Sequence, residues 1–359
     1  MELWTLTHSR PAHARSVAER AEAAGWHGIM VVDSQNLSAD SYVGLTYAAV
    51  ATQTIGLGTG VTNSVTRHPA VTASAAMAVQ DVAPGRMCLG IGRGDSALAH
   101  LGRSPARVDQ FERYVDVLQR YLRREDVDFA DIPIADEVAL PLADLELADH
   151  PAASRIRWFK EEVAKVPVEV ASTGPRVIEI GARLADRVMF TLGAVPERLR
   201  WGIDVAEAAR GRAGLSSPGS YGAYVNLVCH EDRAVARALV RGGLTTFARF
   251  SVMHGEVSGP VDGSEQATLD RLHDGYNMKA HTRSDSPQAG LLDDAFIDKY
   301  AIVGTPDECI ERLRELQRLG IDKVAISGPS AGSDPAESRH AMELMDRAVV
   351  PVFASQVRG

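Results

Sequence analysis

A repeated alternation of short apolar segments with helical segments is the feature that most constrains the fold of this chain. Residues 28–34 form an almost continuous apolar run, typical of a strand buried on both faces of a parallel sheet, and helical spacing follows at residues 38–53. The pair of segments then recurs along the chain. Strands are predicted at residues 3–7, 28–34, 55–63, 86–94, 166–173, 187–192, 221–229 and 321–327.

Eight strands, each followed by a helix, predict an α/β fold in which a single domain over residues 1–359 forms a TIM-type (β/α)8 barrel. The alternative is a doubly wound open sheet, which usually carries GxGxxG after its first strand. The glycine clusters at residues 56–60 and 90–94 have another spacing and follow the third and fourth strands, which favours the barrel. Two segments without a regular period, at about 126–165 and 251–298, are interpreted as insertions.

The composition indicates a folded protein with a small-molecule partner. The formal net charge is −9 over 359 residues, and no apolar run is long enough to cross a bilayer. Nucleic acids and membrane surfaces require a basic footprint, so neither is expected as a partner. Cys88, Cys229 and Cys309 are scattered and odd in number, which favours a reducing compartment. The N-terminus has no signal-peptide pattern, and a cytoplasmic location is expected.

Polar residues end the second and third predicted strands, where a barrel of this type carries its functional groups. Asp33, Ser34 and Gln35 follow the second strand, and Thr62 and Asn63 close the third. A carboxylate at this place acts as a base, orients a partner or caps a helix, and the sequence leaves these roles open. The glycines before Thr62 allow another group to approach the backbone, or form a barrel corner.

The loops after the fourth and fifth strands have the residues of an anion site. The first contains Arg93, Asp95 and Ser96 among glycines, so a guanidinium and backbone N–H groups could hold an anion there. The second contains Ser172 and Thr173 before a helix that starts at Pro175, an arrangement suited to phosphate. The alternative for each loop is structural: a turn in which Asp95 caps the next segment, and an N-cap at Ser172 and Thr173.

Other chemistries are disfavoured by their missing motifs. The histidines form neither HxH nor HExxH, no GxSxG elbow is present, and no metal site is predicted. Cys88 and Cys229 lie inside apolar strands and are interpreted as unreactive core thiols. His281, in the second insertion, is interpreted as part of a solvated loop, with a substrate contact as the minority alternative.

Five stretches together resemble the bacterial luciferase-like superfamily, especially its methylenetetrahydromethanopterin reductase branch. They are residues 58–63, 67–75, 84–96, 171–175 with 184–186, and 303–313, and their order and spacing are more specific than any single motif. The resemblance implies a TIM barrel that holds FMN or the deazaflavin F420 with its ring against the carboxyl ends of the strands. It also implies a homodimer formed through barrel helices.

The resemblance assigns roles to individual residues. It implies a cis peptide bond at Gly60-Val61 beneath the ring and a contact between residues 172–174 and the cofactor phosphate. Arg93 matches an arginine that holds the FMN phosphate in luciferases, where the methanopterin reductases have proline. Ser34 stands where several F420-dependent relatives have histidine. The implied cofactor-binding residues are Gly60, Val61, Thr62, Gly92, Arg93, Gly94, Asp95, Ser96, Ser172, Thr173 and Gly174.

The expected function is therefore that of an oxidoreductase. A flavin-type cofactor would support hydride transfer to a small organic substrate or its monooxygenation. Asp33, Ser34, Gln35 and Asn63 are the candidates for contact with the ring or the substrate. The alternative is a flavin-binding protein of the same fold without turnover, and a metal-dependent barrel hydrolase is disfavoured.

Overall fold

The computed structural model describes residues 1–159 and 163–354; residues 160–162 of the first predicted insertion and residues 355–359 lie outside the described part. Eight parallel strands form a closed barrel, which confirms the predicted fold. The strands of the sheet are β1 (Glu2–Thr7), β2 (Gly28–Val31), β3 (Gly56–Thr59), β4 (Thr62–Asn63), β5 (Met87–Gly92), β6 (Val168–Ser172), β7 (Arg187–Phe190), β8 (Tyr221–Cys229), β9 (Ile302–Gly304) and β10 (Lys323–Ser327).

The barrel closes through β10, which pairs with the first strand and with β8. Lys323 is in register with Glu2 on one side and with Gly222 on the other. The short strands β4 and β9 are additions to the eight-stranded cycle and pair with β5 and β8 respectively. All of these pairings are parallel, as expected for strands joined by helical crossovers.

Helices surround the barrel in the order in which the chain alternates. They are α1 (Pro11–Ala24), α2 (Ser41–Ala51), α3 (Pro69–Val82), α4 (Ser96–Ala99), α5 (Val108–Leu122), α6 (Pro175–Leu184), α7 (Pro196–Arg212), α8 (Arg233–Phe250), α9 (Gly263–Gly275), α10 (Asp294–Tyr300), α11 (Pro306–Arg318), α12 (Pro335–Leu344) and α13 (Val350–Ala354). A π-helical turn, Met345–Val349, joins the last two. At the start of α11, Glu308 accepts a hydrogen bond from the backbone N–H of Thr305, as in a capping box.

Three details differ from the sequence prediction. The third strand is not continuous over residues 55–63: β3 and β4 are separated by a cis peptide bond between Gly60 and Val61. The second insertion is not irregular, because it contains α9 and α10. The strand β9 was missed because its three residues are too few to show a period. Within the described part of the first insertion, the regular structure after α5 is limited to short 3-10 turns and an isolated antiparallel bridge between Val127 and Ser154, in keeping with its predicted irregularity.

The interior of the barrel combines large apolar side chains with a buried ion pair. Trp4 is 6% exposed and leaves no room for side chains on the neighbouring strands: a Cβ atom at Gly28 would lie 2.3 Å from its ring. Lys323 is fully buried, with its ammonium 3.4 Å from the centroid of the Trp4 ring and 2.8 Å from Oε2 of Glu169. The amino end of the barrel is thereby filled, and the space left for a ligand lies at the carboxyl end.

Candidate functional site

A cavity of about 640 Å³ lies at the carboxyl ends of the barrel strands. Its wall includes residues of β1, the β2 end, β8 and β10, together with side chains from the second insertion. Aromatic and apolar groups form much of it, among them Tyr224, Phe247, Phe250 and Met278. This is the position at which (β/α)8 enzymes have their active sites.

Asp33 is the centre of a polar network on one side of the cavity. Its carboxylate is 2% exposed and accepts hydrogen bonds from Thr62 Oγ1 at 2.7 Å and from Gln35 Nε2 at 2.9 Å. Arg67 donates to both of its oxygens, at 2.5 and 3.3 Å. Asn63 Nδ2 donates in turn to Gln35 at 3.3 Å. With its oxygens occupied in this way, Asp33 is placed to orient its neighbours rather than to act as a base.

The ends of β2 and β5 meet across the cavity floor. Ser34 Oγ lies 3.3 Å from Ser96 Oγ, and both residues line the cavity. Gly60 lines it between them, and a Cβ atom there would lie 2.7 Å from Cβ of Met30. The group that approaches this glycine is thus a core side chain of β2. The Gly60-Val61 peptide bond is cis, at the position that the resemblance implies.

An ion pair connects the loop after β5 with the end of α8. The carboxylate of Asp95 accepts a close hydrogen bond from Arg249, at the end of α8, and both side chains are largely buried. Asp95 makes no side-chain capping bond to α4, so the structural alternative of a helix cap is wrong. The Arg249 guanidinium also lies over the ring of Tyr276, 4.5 Å from its centroid, which joins this loop to the second insertion.

The loop after β6 presents an unsatisfied hydroxyl at the start of α6. The Ser172 Oγ atom is buried and has no hydrogen-bond partner, while the Thr173 hydroxyl bonds to the hydroxyl of Thr191. Gly174 occupies the N-cap position of α6 without any side-chain capping bond, so the pure N-cap alternative for these residues is also wrong. Backbone N–H groups at a helix start without a cap favour a bound anion.

Two arginines lie next to this helix start. Burial, and then the positive charge of Arg176, lower the pKa of Arg93 below its usual value. Arg93 is anchored by its Nε, which donates to the carbonyl of Ala106 at 2.6 Å. Like charges held near each other in this way are stabilised by an anion between them.

The sequence-predicted residues therefore fall into two groups. Those that line the cavity are Asp33, Ser34, Gly60, Val61, Asn63, Gly94, Asp95 and Ser96. Those that do not line it are Gln35, Thr62, Gly92, Arg93, Ser172, Thr173 and Gly174. Gln35 and Thr62 act on the cavity wall through Asp33, and the strand-β6 loop lies beside it, since Ala171 and Thr191 are wall residues.

Three residues of the site were missed from the sequence. Arg67 lies in a stretch that carries the resemblance, but nothing in its spacing indicates a partner at Asp33. Arg249 and Tyr276 come from the second insertion or its boundary, where no motif is readable. His281 was interpreted from the sequence as part of a solvated loop, whereas in the structure it lines the cavity.

In the described part of the chain, one group has three potential metal-ligating side chains: His230, Glu231 and His340. His230 Nδ1 already accepts the backbone N–H of Asp232 at 2.9 Å, and its Nε2 lies 2.9 Å from Glu337, so its ring nitrogens are engaged. Over residues 1–159 and 163–354, none of the helices combines the length and the apolar character needed to span a bilayer.

A parallel eight-stranded barrel with a cavity and a polar network at the carboxyl ends of its strands defines the class, the TIM-barrel proteins. The profile of the luciferase-like monooxygenase family matches residues 2–323. The chain belongs to this family, and the predicted membership is confirmed.

Two curated relatives represent both chemistries of the family. The 5,10-methylenetetrahydromethanopterin reductase of Archaeoglobus fulgidus is 27% identical over 335 residues and covers 92% of each chain. The 4-hydroxyprotoasukamycin monooxygenase of Streptomyces nodosus subsp. asukaensis is 27% identical over 330 residues, covering 87% of this chain and 77% of its own. The expectation of an oxidoreductase is thus confirmed at the level of the family.

Solved structures share the fold over nearly the whole chain. The coenzyme F420-dependent tetrahydromethanopterin reductase of Methanopyrus kandleri superposes with a TM-score of 0.72 at 20% identity, covering 98% of this chain and 99% of its own. The oxygenating constituent of 3,6-diketocamphane monooxygenase of Pseudomonas putida, in complex with FMN, gives 0.65 at 17% identity, covering 98% of each chain. At these identities the likeness shows the barrel fold.

Proposed function

We propose that the protein is an oxidoreductase that binds FMN or F420 at the carboxyl end of the barrel and transfers a hydride to a small organic substrate or oxygenates it. The observation that carries the proposal is the conjunction of a mostly apolar cavity with an uncapped helix start and a buried, unpartnered Ser172 hydroxyl beside it. The curated relatives and the family profile support redox chemistry. When bound, the cofactor supplies the hydride or activates dioxygen.

The cofactor phosphate would be held by the loop after β6. The residues fit such a group, because the Ser172 hydroxyl is an unsatisfied donor and no side chain caps the start of α6, where Arg176 carries a backbone N–H group. Arg93 and Arg176 add positive charge beside them. Gly92, Thr173 and Gly174 shape the backbone of the two loops, since a Cβ atom at Gly92 would lie 3.3 Å from Val61.

The ring would lie over the floor made by Gly60, Val61 and the pair Ser34 and Ser96, with Gly94 at its edge. Asp33 would fix Thr62 and Gln35, and through Gln35 the amide of Asn63, which faces the cavity. Both carboxylate oxygens of Asp33 already accept hydrogen bonds, so the role of this network is to orient the neighbouring side chains. Asp95 would hold Arg249 and the second insertion against the mouth of the cavity.

A pair of equilibrium titrations, one with FMN and one with F420, tests the proposal. Cofactor fluorescence should change saturably with one of the two and at one equivalent per chain. Reduced cofactor should then be reoxidised in a manner that depends on substrate when a panel of small carbonyl compounds is added. Binding of neither cofactor contradicts the proposal, and binding without any substrate-dependent reoxidation favours a flavin-binding protein without turnover.

We also propose the oligomeric state, the cellular compartment and the kind of partner of the enzyme. A homodimer is supported by an apolar exposed face on α2, where Val43, Tyr47 and Val50 are each about half exposed or more. The cytoplasm is proposed as the compartment because Cys88, Cys229 and Cys309 are free thiols. A net charge of −9 is in keeping with a small-molecule substrate rather than a nucleic acid.

A further inference from the structure

His281 is a partly buried histidine of the cavity wall. It lies in the second insertion between α9 and α10 and lines the cavity. Its Nδ1 atom is 2.7 Å from the hydroxyl of Tyr276. Its Nε2 atom has no hydrogen-bond partner among the described residues.

The Tyr276 hydroxyl can donate to His281. Its oxygen is 3.1 Å from Thr246 Oγ1, and the Arg249 guanidinium lies over its ring at 4.5 Å. Burial raises the pKa of Tyr276 above its usual value, so the phenol keeps its proton. In the tautomer in which Tyr276 donates to Nδ1 of His281, the proton of the neutral imidazole is carried by Nε2.

The imidazole is neutral at ordinary pH. Burial lowers the pKa of His281 to about 4, with the positive charge of Arg249 and the neighbouring His100 acting in the same direction and Asp95 opposing them. A neutral imidazole acts as a hydrogen-bond donor toward a carbonyl group, as in other enzymes in which histidine is an electrophile rather than an acid.

The charges around the cavity indicate the kind of ligand that this donor meets. Asp33 is paired with Arg67, and Asp95 with Arg249, so the charged groups on these two sides of the cavity are compensated. Near His281 the wall contains the apolar side chains of Phe247 and Met278, together with Lys279. A mostly apolar wall with an N–H donor suits a molecule that carries a hydrogen-bond acceptor such as a carbonyl group.

We infer that the Nε2–H group of His281 donates a hydrogen bond to the carbonyl oxygen of a substrate bound in the cavity. The inference rests on the proposed function, in which such a substrate accepts a hydride or an oxygen atom. The hydrogen bond positions the carbonyl and polarises it toward attack at its carbon.

Nitrogen NMR of the histidine-labelled full chain tests the inference without any cofactor. The His281 signals, assigned by their loss in H281Q, should show a protonated Nε2 and an unprotonated Nδ1 from about pH 8 to about pH 5, where an unperturbed histidine would titrate. Cyclohexanone should shift the Nε2 signal, while methylcyclohexane, which lacks the acceptor, should not. A proton on Nδ1, or an Nε2 signal that cyclohexanone leaves unchanged, overturns the inference.

Two variants separate a contact with the ligand from a general change of structure. H281A should weaken cyclohexanone binding about fivefold, as expected for the loss of one hydrogen bond, whereas H273A, which removes an exposed histidine from the same insertion, should leave it unchanged. Equal affinities in the wild type and H281A overturn the inference. A wild-type protein that binds neither FMN nor F420 contradicts the proposed function instead, and the NMR result is independent of that outcome.

Discussion

The guanidinium of Arg67 holds both carboxylate oxygens of Asp33 and, through its second terminal nitrogen, also reaches Asp40 at 2.7 Å. Asp33 is buried, so R67M would leave a buried carboxylate without its cation. We expect the free energy of unfolding to fall by about 3 kcal/mol, as for other broken buried pairs, when measured by urea denaturation.

A matched exposed pair provides the control for R67M. Arg15 and Glu19 form an ion pair on the surface of α1, and R15A should cost about 0.5 kcal/mol or less. The double variant R67M/D33N should recover part of the loss, because the buried charge is then removed as well. Equal effects of R67M and R15A would contradict the assigned role of Arg67.

The ion pair of Lys323 with Glu169 predicts that the stability of the protein depends strongly on pH in the acid range. Despite burial, Lys323 and Arg187 hold the pKa of Glu169 below its usual value of 4.5. The stabilisation is present above about pH 4.5 and is lost as the pH falls through the lower folded value. The melting temperature of the wild type should therefore fall on acidification, and that of E169Q should fall less.

Removal of the lysine tests the same pair at neutral pH. K323M should destabilise the protein by about 3–5 kcal/mol, because Glu169 keeps only Arg187 as a buried partner. R318A, which removes an exposed ion pair with Glu311, should cost about 1 kcal/mol or less. A K323M variant as stable as R318A would show that the pair of Lys323 with Glu169 contributes little.

The phosphate site makes a prediction about Arg93. Since the guanidinium lies beside Arg176 and the start of α6, R93A should weaken FMN binding by about 1.5–3 kcal/mol, as for a charge-assisted hydrogen bond. The measurement is a fluorescence titration. R103A, which removes an exposed arginine after α4, serves as the control and should leave the affinity unchanged. Unchanged affinity in R93A would remove this residue from the site.

The barrel could be predicted from the sequence because the patterns that indicate its strands and helices are local and recur along the chain. Each of the eight strands is an apolar run, and the helices between them have clear starts, as at Pro69, Pro175 and Thr305. The residues at the strand ends could be named for the same reason. Ser34 and Ser96 were both candidates, although nothing in the sequence placed their hydroxyls 3.3 Å apart.

The partners of those residues could not be predicted, because they are distant in the chain. Asp95 meets Arg249 across 154 positions, and Lys323 meets Glu169 across the same separation. Glu169 and Lys323 lie inside predicted strands. Neither was recognised as charged and buried, since one charged residue does not disturb an apolar run. The helices of the second insertion were missed because their packing against α8, rather than a strong period, stabilises them.

The thiols provide a test of the buried interior. Burial raises the pKa of Cys88 to about 12, and Cys229 and Cys309 are buried as well. A thiol reagent such as DTNB should therefore react with none of the three in the native protein and with all three after unfolding in guanidinium. Rapid reaction of one thiol under native conditions would contradict the described burial.

The proposed homodimer depends on the exposed face of α2. This helix is apolar on all sides, which is unusual for a surface helix, and Val43, Tyr47 and Val50 recur on its exposed face at spacings of four and three. Val71 of the adjacent helix α3 extends the same surface. A second copy of the chain would remove these side chains from water.

V50E would place a charge in that interface without touching the core of the barrel. We expect the variant to sediment as a monomer at concentrations where the wild type is a dimer, because an unpaired carboxylate is costly to bury. V138E, at a position that is 78% exposed in the first insertion, carries the same change of charge outside α2 and should remain dimeric. If both variants behave as the wild type, then α2 is not the contact, and if the wild type is itself a monomer, the exposed apolar face requires another explanation.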